Sequence, residues 1–218
     1  MTAAGSDFAD SVLLVHKQAG LTSFDVVARL RRITRQKKIG HAGTLDKAAE
    51  GLLVVCTGRA TRLIRFLMDG TKTYQAVIRL GFRSDTCDRE GQITPGGDFR
   101  NITNPVLEQA LQPFKGEILQ TPPVYSALKI QGRRASDLAR DGQSPEMTPR
   151  TVTIFRLEVR NFNPAEGLLT LEIDCSKGTY IRSLARDLGE ALGCGAMLER
   201  LVRTRSGEYD LERAATIE

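Results

Sequence analysis

Residues 152–175 read VTIFRLEVRNFNPAEGLLTLEIDC. Two strand-type runs, 152–159 and 168–175, flank an Asn-Pro-Ala-Glu-Gly segment, and this arrangement predicts a β-hairpin. Residues 73–80 alternate between apolar and polar, so that Tyr74 is predicted to face inward on a third strand. Strands that follow one another, with helices between them but not in strict alternation, favour an α+β fold with a mixed sheet over a doubly wound one.

Shorter patterns outside the hairpin predict the other elements. Thr22 and Asp25 resemble a capping box before a basic amphipathic helix, and Asn104 before a proline is predicted to be the N-cap of another helix. Apolar residues at helical spacing after position 180 predict a third helix that ends at Gly193. The remaining predicted elements are strands at 12–15 and 52–56 and a short helix around 63–67.

Composition excludes several classes of protein. With 218 residues, 41% hydrophobic and 26% charged, the chain is long enough for a sizeable core, and no apolar run reaches the length of a membrane span. Residues 1–10 carry neither a basic nor an apolar signal region, so we expect a flexible tail and a cytoplasmic protein. We also expect a monomer.

The cysteines and histidines do not have metal-ligand spacing. Four cysteines lie far apart without a Cys-x-x-Cys pair, and neither histidine is placed as their partner, so reduced buried thiols are predicted and no metal. These cysteines are Cys56, Cys87, Cys175 and Cys194.

Positive charge is concentrated in three places. Residues 29–38 contain six basic residues and no acid, and further cations cluster at 129–134 and 200–205. Each cluster alone is typical of a solvated face, but together with a pI of about 9.2 they favour a nucleic-acid partner. Between them, residues 121–149 hold four of the eight prolines and little periodicity, which predicts an excursion from the core.

Residues 40–46, Gly-His-Ala-Gly-Thr-Leu-Asp, describe a tight loop between two apolar segments. Gly40 and Gly43 allow close backbone approach or positive φ, and Asp46 at the end of the loop would have a fixed direction. Spacing alone favours a plain turn in which Asp46 caps the next element, so the pattern by itself does not identify a site.

The heptapeptide resembles the catalytic motif of the bacterial tRNA pseudouridine-55 synthases, and further family motifs follow in order from about residue 12 to the C-terminus. The matching segments are Lys17 with Gly-Leu-Thr-Ser at 20–23, Lys-Thr-Tyr at 72–74, Pro-Pro-Val-Tyr-Ser-Ala-Leu-Lys at 122–129, Lys-Gly-Thr-Tyr-Ile-Arg at 177–182 and Arg-Thr-Arg-Ser-Gly at 203–207.

This resemblance implies the pseudouridine-synthase fold, a central mixed, mostly antiparallel sheet flanked by helices and loops. It implies one catalytic domain over residues 11–218, with an inserted RNA-binding thumb at about 121–150 and no PUA domain. The implied activity is isomerisation of uridine-55 in the T loop of tRNA, without cofactor or metal, after the base leaves its stack.

The resemblance also implies roles for individual residues. Asp46 is the catalytic carboxylate, Arg182 its cationic partner, and Tyr74 the ring against the uracil. The implied substrate-binding residues are His41, Tyr180, Leu201, Lys17, Gly43 and Lys129. Pattern alone gives most of them plain roles: Tyr74 in the core, His41 in a loop, and Leu201 and Arg182 on helices.

Two departures and two alternative functions accompany these expectations. Family members typically continue Pro-Leu-Ala-Thr-Gly after the Asp, whereas residues 47–51 read Lys-Ala-Ala-Glu-Gly, and the usual Lys-Pro is Lys17-Gln18. The basic clusters suit a non-catalytic tRNA-folding chaperone equally well. A nucleoside hydrolase that uses one Asp ranks last, because a small substrate needs no basic surface.

Overall fold

A computed structural model of the chain describes residues 8–217. The strands are β1 (Val12–Lys17), β2 (Ile39–His41), β3 (Glu50–Thr57), β4 (Lys72–Leu80), β5 (Phe82–Ser84), β6 (Ile93–Pro95), β7 (Gly116–Gln120), β8 (Lys129–Ile130), β9 (Arg133–Arg134), β10 (Arg150–Asn163), β11 (Leu168–Cys175), β12 (Ala196–Ser206), β13 (Tyr209–Asp210) and β14 (Ala215–Thr216). The helices are α1 (Ser23–Thr34), α2 (Ile64–Leu67), α3 (Asn104–Leu111), α4 (Ala135–Arg140) and α5 (Ile181–Ala191).

The chain divides into two compact units, residues 1–75 with 200–218 and residues 76–199. In the first unit the strand order is β14-β1-β3-β12-β4, with β2 paired to β3 and β13 to β12. Pairing is parallel between β1 and β14 and between β3 and β12, and antiparallel between β1 and β3 and between β2 and β3.

Helix α1 covers the core of the first unit. The predicted capping box is confirmed, because the Thr22 hydroxyl accepts the Asp25 N–H at 3.1 Å and the Asp25 carboxylate accepts the Thr22 N–H at 2.8 Å. Val26 and Leu30 pack on the buried faces of β1 and β3, and the helical arginines lie on the outer side. The sequence therefore predicted the start of this helix. The apolar spacing that includes Phe24 and Ile33 predicted its inward face only in part, because these two side chains are 68% and 54% exposed.

In the second unit the strand order is β12-β4-β11-β10-β7, and the predicted hairpin is confirmed as the antiparallel pair β10–β11. Leu169, Leu171 and Ile173 are fully buried on one face of the hairpin. On the other face Arg156 bonds Asp174 at 2.9 Å, so cross-strand ion pairs cover the solvent side. An α+β fold with a mixed sheet is thus confirmed.

The structure corrects three local predictions. The N-cap of α3 is Thr103 rather than Asn104, with the proline in the first turn. His41 belongs to a strand, β2, rather than to the loop that follows it. Leu201 lies in β12 and not in a helix, because 196–206 form an extended strand that alternation did not reveal.

Residues 121–149 contain only short elements, the β8–β9 hairpin and α4. Of the predicted tail, residues 1–7 lie outside the described part, and residues 8–10 form a turn in which Asp10 bonds Arg59. All four cysteines are buried and free, as predicted. Over residues 8–217, no helix has the length and apolar character to cross a membrane, and no acidic, His and Cys cluster could hold a metal ion.

Candidate active site

Asp46 lies in the loop that joins β2 to β3 in the first unit. The loop begins with Ala42, whose N–H bonds the Val54 carbonyl at 2.8 Å, and it closes with a bond from the Ala49 N–H to the Asp46 carbonyl at 3.2 Å. Gly43 has a φ of +118°, which favours glycine. The Asp46 side chain is half-buried, so it is partly withdrawn from solvent and still accessible.

Buried side chains hold the peptides on both sides of Asp46. Before it, the Ser23 hydroxyl accepts the Leu45 N–H at 2.9 Å and donates to the Leu45 carbonyl at 3.2 Å. After it, the fully buried Lys17 ammonium donates to the carbonyls of Lys47, at 3.3 Å, and of Ala49. Neighbouring peptides fixed in this way restrict where the Asp46 carboxylate can point.

Arg203 supports the same loop from β12. It is 1% exposed, and its guanidinium donates to the carbonyls of Leu52 at 2.8 Å and of Gly43 at 3.2 Å. Gly51 lies opposite Arg203 in the parallel pair, and a Cβ there would come within 2.3 Å of the Arg203 carbonyl oxygen. Glycine at position 51 is therefore required by the close approach of the two strands.

His41, the last residue of β2, precedes this loop. Burial lowers the pKa of its imidazole, the Arg203 charge lowers it further, and a backbone hydrogen bond with Gly43 opposes both effects. The imidazole is therefore neutral at pH 7, and any contact it makes with RNA is that of a neutral ring.

Tyr74 and Leu201 complete the predicted site residues of the first unit. Tyr74 is 9% exposed on β4 and faces inward, as its alternation predicts. Leu201 is 7% exposed on β12. The first unit thus holds Asp46, its loop, and the side chains of Tyr74 and Leu201. Gly43 is part of that loop, and Lys17, at the end of β1, bonds carbonyl groups of the loop.

Arg182 lies in the second unit, in the first turn of α5, and is 5% exposed. Its guanidinium donates to the carbonyls of Thr86 at 3.0 Å and of Tyr125 at 2.9 Å, and Nε lies 3.5 Å from the Asp88 carboxylate. Without the motif at 177–180, the pattern would have favoured an exposed helix arginine; Arg182 does lie on a helix, but it is buried. Its pairing with Asp46 stays a prediction.

Asp88 is a buried carboxylate that the sequence analysis missed. Its Oδ1 accepts the Thr86 hydroxyl at 2.6 Å and the Glu90 N–H at 3.0 Å, so the loop after β5 holds it beside Arg182. No sequence signal could have found this pair, because Asp88 and Arg182 are far apart in the chain and Asp88 lies in a stretch typical of a polar turn.

The second unit also holds Tyr180 and Lys129. Tyr180 is the N-cap residue of α5 and is half-buried, with both of its backbone polar groups bonded to the Gln120 side chain. Lys129 is exposed in the β8–β9 hairpin, next to the exposed pair Arg133 and Arg134. The structure therefore places Lys129 on a basic hairpin and Tyr180 in a fixed turn.

Known proteins resemble the chain over almost its full length. The N-terminal domain of TruB family pseudouridylate synthases matches residues 31–181, and the tRNA pseudouridylate synthase B C-terminal domain matches residues 182–218. The tRNA pseudouridine synthase B of Dehalococcoides mccartyi strain CBDB1 is 48% identical over 202 residues, 93% of this chain and 67% of that protein. The protein of the same name from Gloeobacter violaceus is 51% identical over 205 residues, 93% of this chain and 70% of that protein.

Two solved structures share the fold. A chain of a Cbf5–Nop10–Gar1 complex is 30% identical, with a TM-score of 0.76 over 99% of this chain and 55% of that one. A chain of an H/ACA RNP bound to a substrate RNA containing 2′-deoxyuridine is also 30% identical, with a TM-score of 0.69 over 94% of this chain and 50% of that one. This chain therefore spans about half of each. Together with the matching domains and the held Asp46 loop, these likenesses show that the chain belongs to the TruB family of pseudouridylate synthases.

Proposed function

We propose that this chain converts uridine-55 in the T loop of tRNA to pseudouridine, with Asp46 as the catalytic carboxylate. The observation that carries the proposal is the half-buried Asp46 between two peptides that buried side chains hold, in a member of a pseudouridylate synthase family. Its relatives named tRNA pseudouridine synthase B support tRNA as the substrate.

The reaction breaks the N1–C1′ bond, turns the uracil, and joins C5 to C1′. The C5 proton is lost to solvent and N1 takes up a proton, so the product is an isomer of the substrate. Ionised Asp46 either attacks C1′ and is later displaced, or removes the C2′ proton to give a glycal that is reprotonated there. Both routes need the carboxylate within about 3–3.5 Å of the sugar, so a rigid loop that fixes its direction lowers the barrier.

The other predicted residues serve the extruded nucleotide in this proposal. Tyr74 stacks on the uracil, which supports a base that has left its loop, and Tyr180 and Leu201 are further substrate-binding residues. His41 contacts T-loop bases as a neutral ring. Lys129, on the exposed hairpin of the thumb segment, contacts phosphate, so T-arm recognition depends on shape and charge. Arg182 contributes a positive charge to the chemical step.

The test is tritium release from unmodified tRNA transcript labelled at uracil C5, without added metal or cofactor. The wild-type chain is expected to release one tritium per tRNA, and a transcript with cytidine at position 55 and label elsewhere is expected to release none. Asp46→Asn is expected to abolish release while tRNA affinity stays within about threefold, because only the reacting group changes. Asp98→Asn is the matched control, since Asp98 is paired with Arg100 on the surface.

Each alternative function gives a different result. Tight tRNA binding and faster tRNA refolding without tritium release would establish a folding chaperone and refute the isomerase. Free uracil with an abasic site would establish a hydrolase. Substantial release by Asp46→Asn would show that another group does the chemistry.

A further inference from the structure

Gln120 makes an unusual contact with the backbone of Tyr180. It is the last residue of β7, it is 2% exposed, and its side-chain amide bonds one residue twice. Nε2 donates to the Tyr180 carbonyl at 3.1 Å, and Oε1 accepts the Tyr180 N–H at 2.8 Å. In an antiparallel sheet, the two residues of a hydrogen-bonded pair exchange two N–H···O hydrogen bonds. The Gln120 side chain makes the same two bonds to Tyr180 that a second backbone would make.

The turn before Tyr180 contains a glycine in the left-handed region. Gly178 has a φ of +80°, a Cβ there would meet no atom within 4 Å, and the Thr179 hydroxyl donates to the Ser176 carbonyl at 2.9 Å. The Tyr180 carbonyl also accepts the Leu184 N–H, at 3.1 Å, in the first turn of α5. Gln120 therefore holds the backbone at the point where this turn becomes a helix.

The start of α5 is tied to the same end of β7 by further bonds. Ser183 and Arg186 both donate to the Thr121 carbonyl, at 2.8 and 3.0 Å. Arg182 donates to the Tyr125 carbonyl at 2.9 Å. The first residues of the thumb segment and the turn that carries Tyr180 are thus one hydrogen-bonded assembly.

We infer that Gln120 is a positioning residue for catalysis: it sets the Tyr180 backbone, and through it the Tyr180 ring, for the nucleotide. This inference rests on the proposed function, because it gives the Tyr180 ring a substrate to meet. A buried amide that bonds both backbone polar groups of one residue leaves that residue's backbone little freedom, so its loss moves the ring without removing a substrate contact.

The test compares Gln120→Met, which keeps the side-chain volume and loses both bonds, with Gln112→Met as the control. Gln112 is an exposed glutamine whose side chain bonds one carbonyl of its own helical region, Glu108. Single-turnover tritium release with enzyme in excess is expected to fall about tenfold or more for Gln120→Met, with tRNA affinity within about threefold of wild type. Gln112→Met is expected to match wild type.

A double-mutant cycle with Tyr180→Ala separates positioning from general stability. If Gln120 acts through the Tyr180 ring, Gln120→Met added to Tyr180→Ala should lower the rate less than about twofold further, because the ring is already gone. Independent, multiplying losses would overturn the inference. Gln120→Asn keeps an amide on a side chain too short to make both bonds in the same place. It is expected to lower the single-turnover rate in the same way, and it serves if the methionine variant does not fold.

Failure of the inference differs from failure of the proposed function. An active wild type with an equally active Gln120→Met refutes the positioning role alone. A lower melting temperature with an unchanged single-turnover rate does the same. An inactive wild type refutes the proposed function.

Discussion

Replacing Ser23 by alanine removes the hydroxyl group that bonds the Leu45 backbone in the loop that carries Asp46. The hydroxyl is buried and makes two hydrogen bonds, at 2.9 and 3.2 Å, to the residue before Asp46. Each neutral hydrogen bond contributes about 1 kcal/mol to stability, and leaving the buried Leu45 N–H without a partner costs a similar amount. The higher helix propensity of alanine partly offsets these losses. We therefore expect the free energy of unfolding to fall by about 2 kcal/mol. For a domain of this size the melting temperature should fall by about 4–8 °C.

The decisive measurement is the single-turnover rate at a temperature where Ser23→Ala is fully folded. Because the loop can shift by a fraction of an ångström at Leu45, we expect tritium release to slow about 10- to 100-fold with little change in tRNA affinity. Ser11→Ala is the control, since the Ser11 hydroxyl makes one exposed bond to Ala9 in the same unit, at 3.0 Å. A lower melting temperature with a rate within about twofold of wild type would refute the reasoning that the Ser23–Leu45 hydrogen bonds direct the Asp46 carboxylate.

Asp88→Asn keeps the shape of the side chain but removes the carboxylate charge 3.5 Å from buried Arg182. In urea titrations it should lower the free energy of unfolding by about 2–4 kcal/mol. It should also slow the chemical step more than it weakens tRNA binding. A urea midpoint equal to wild type would contradict the assignment of this pair as buried. The lowered pKa of His41 means that the unfolded chain takes up a proton below about pH 6.5 while folded His41 stays neutral, so the free energy of unfolding should fall as pH drops through that range. His41→Asn should make the same titration flatter between pH 7.5 and 5.5, and an identical pH dependence for both proteins would exclude this effect.

Periodicity predicted the elements that follow a simple local rule. The capping box at Thr22, the β10–β11 hairpin and the inward side of β4 were all predicted, because each depends on residues close together in the chain. The strand β12 was not, because its paired positions on β3 are distant in sequence and its charged residues hide the alternation. Arg203 shows why: a fully buried arginine is compatible with the fold only because carbonyls of another segment accept its protons.

The candidate site was predictable in its residue types but not in its supports. The motifs identified Asp46, Arg182 and Tyr180. They gave no functional role to the residues that support these three, which are Ser23 beside Asp46, Asp88 beside Arg182 and Gln120 beside Tyr180. These supports act over long sequence separations, 22 positions for Ser23 with Leu45 and 60 for Gln120 with Tyr180. Serine and glutamine are also common surface residues, so composition does not distinguish a buried clamp from a solvated side chain.

The two departures from the family pattern fall where the loop uses backbone atoms. The Lys47 side chain is exposed, and the loop uses its carbonyl, which accepts the Gly20 N–H at 2.8 Å and the Lys17 ammonium at 3.3 Å. Gln18, in place of a proline, also offers a carbonyl to Lys17, at 3.1 Å. These bonds do not depend on the side chain at either position.

The added acid is likewise bound. The Glu50 carboxylate, at the start of β3, accepts a hydrogen bond from the Arg200 guanidinium at 2.6 Å. A cation within the same unit therefore offsets its negative charge. The carboxylate that the departure introduces therefore pairs with Arg200. Ser23, Lys17 and Arg203 all bond backbone atoms of the loop. The side chains that follow Asp46 can therefore change while these bonds still hold the loop that carries Asp46.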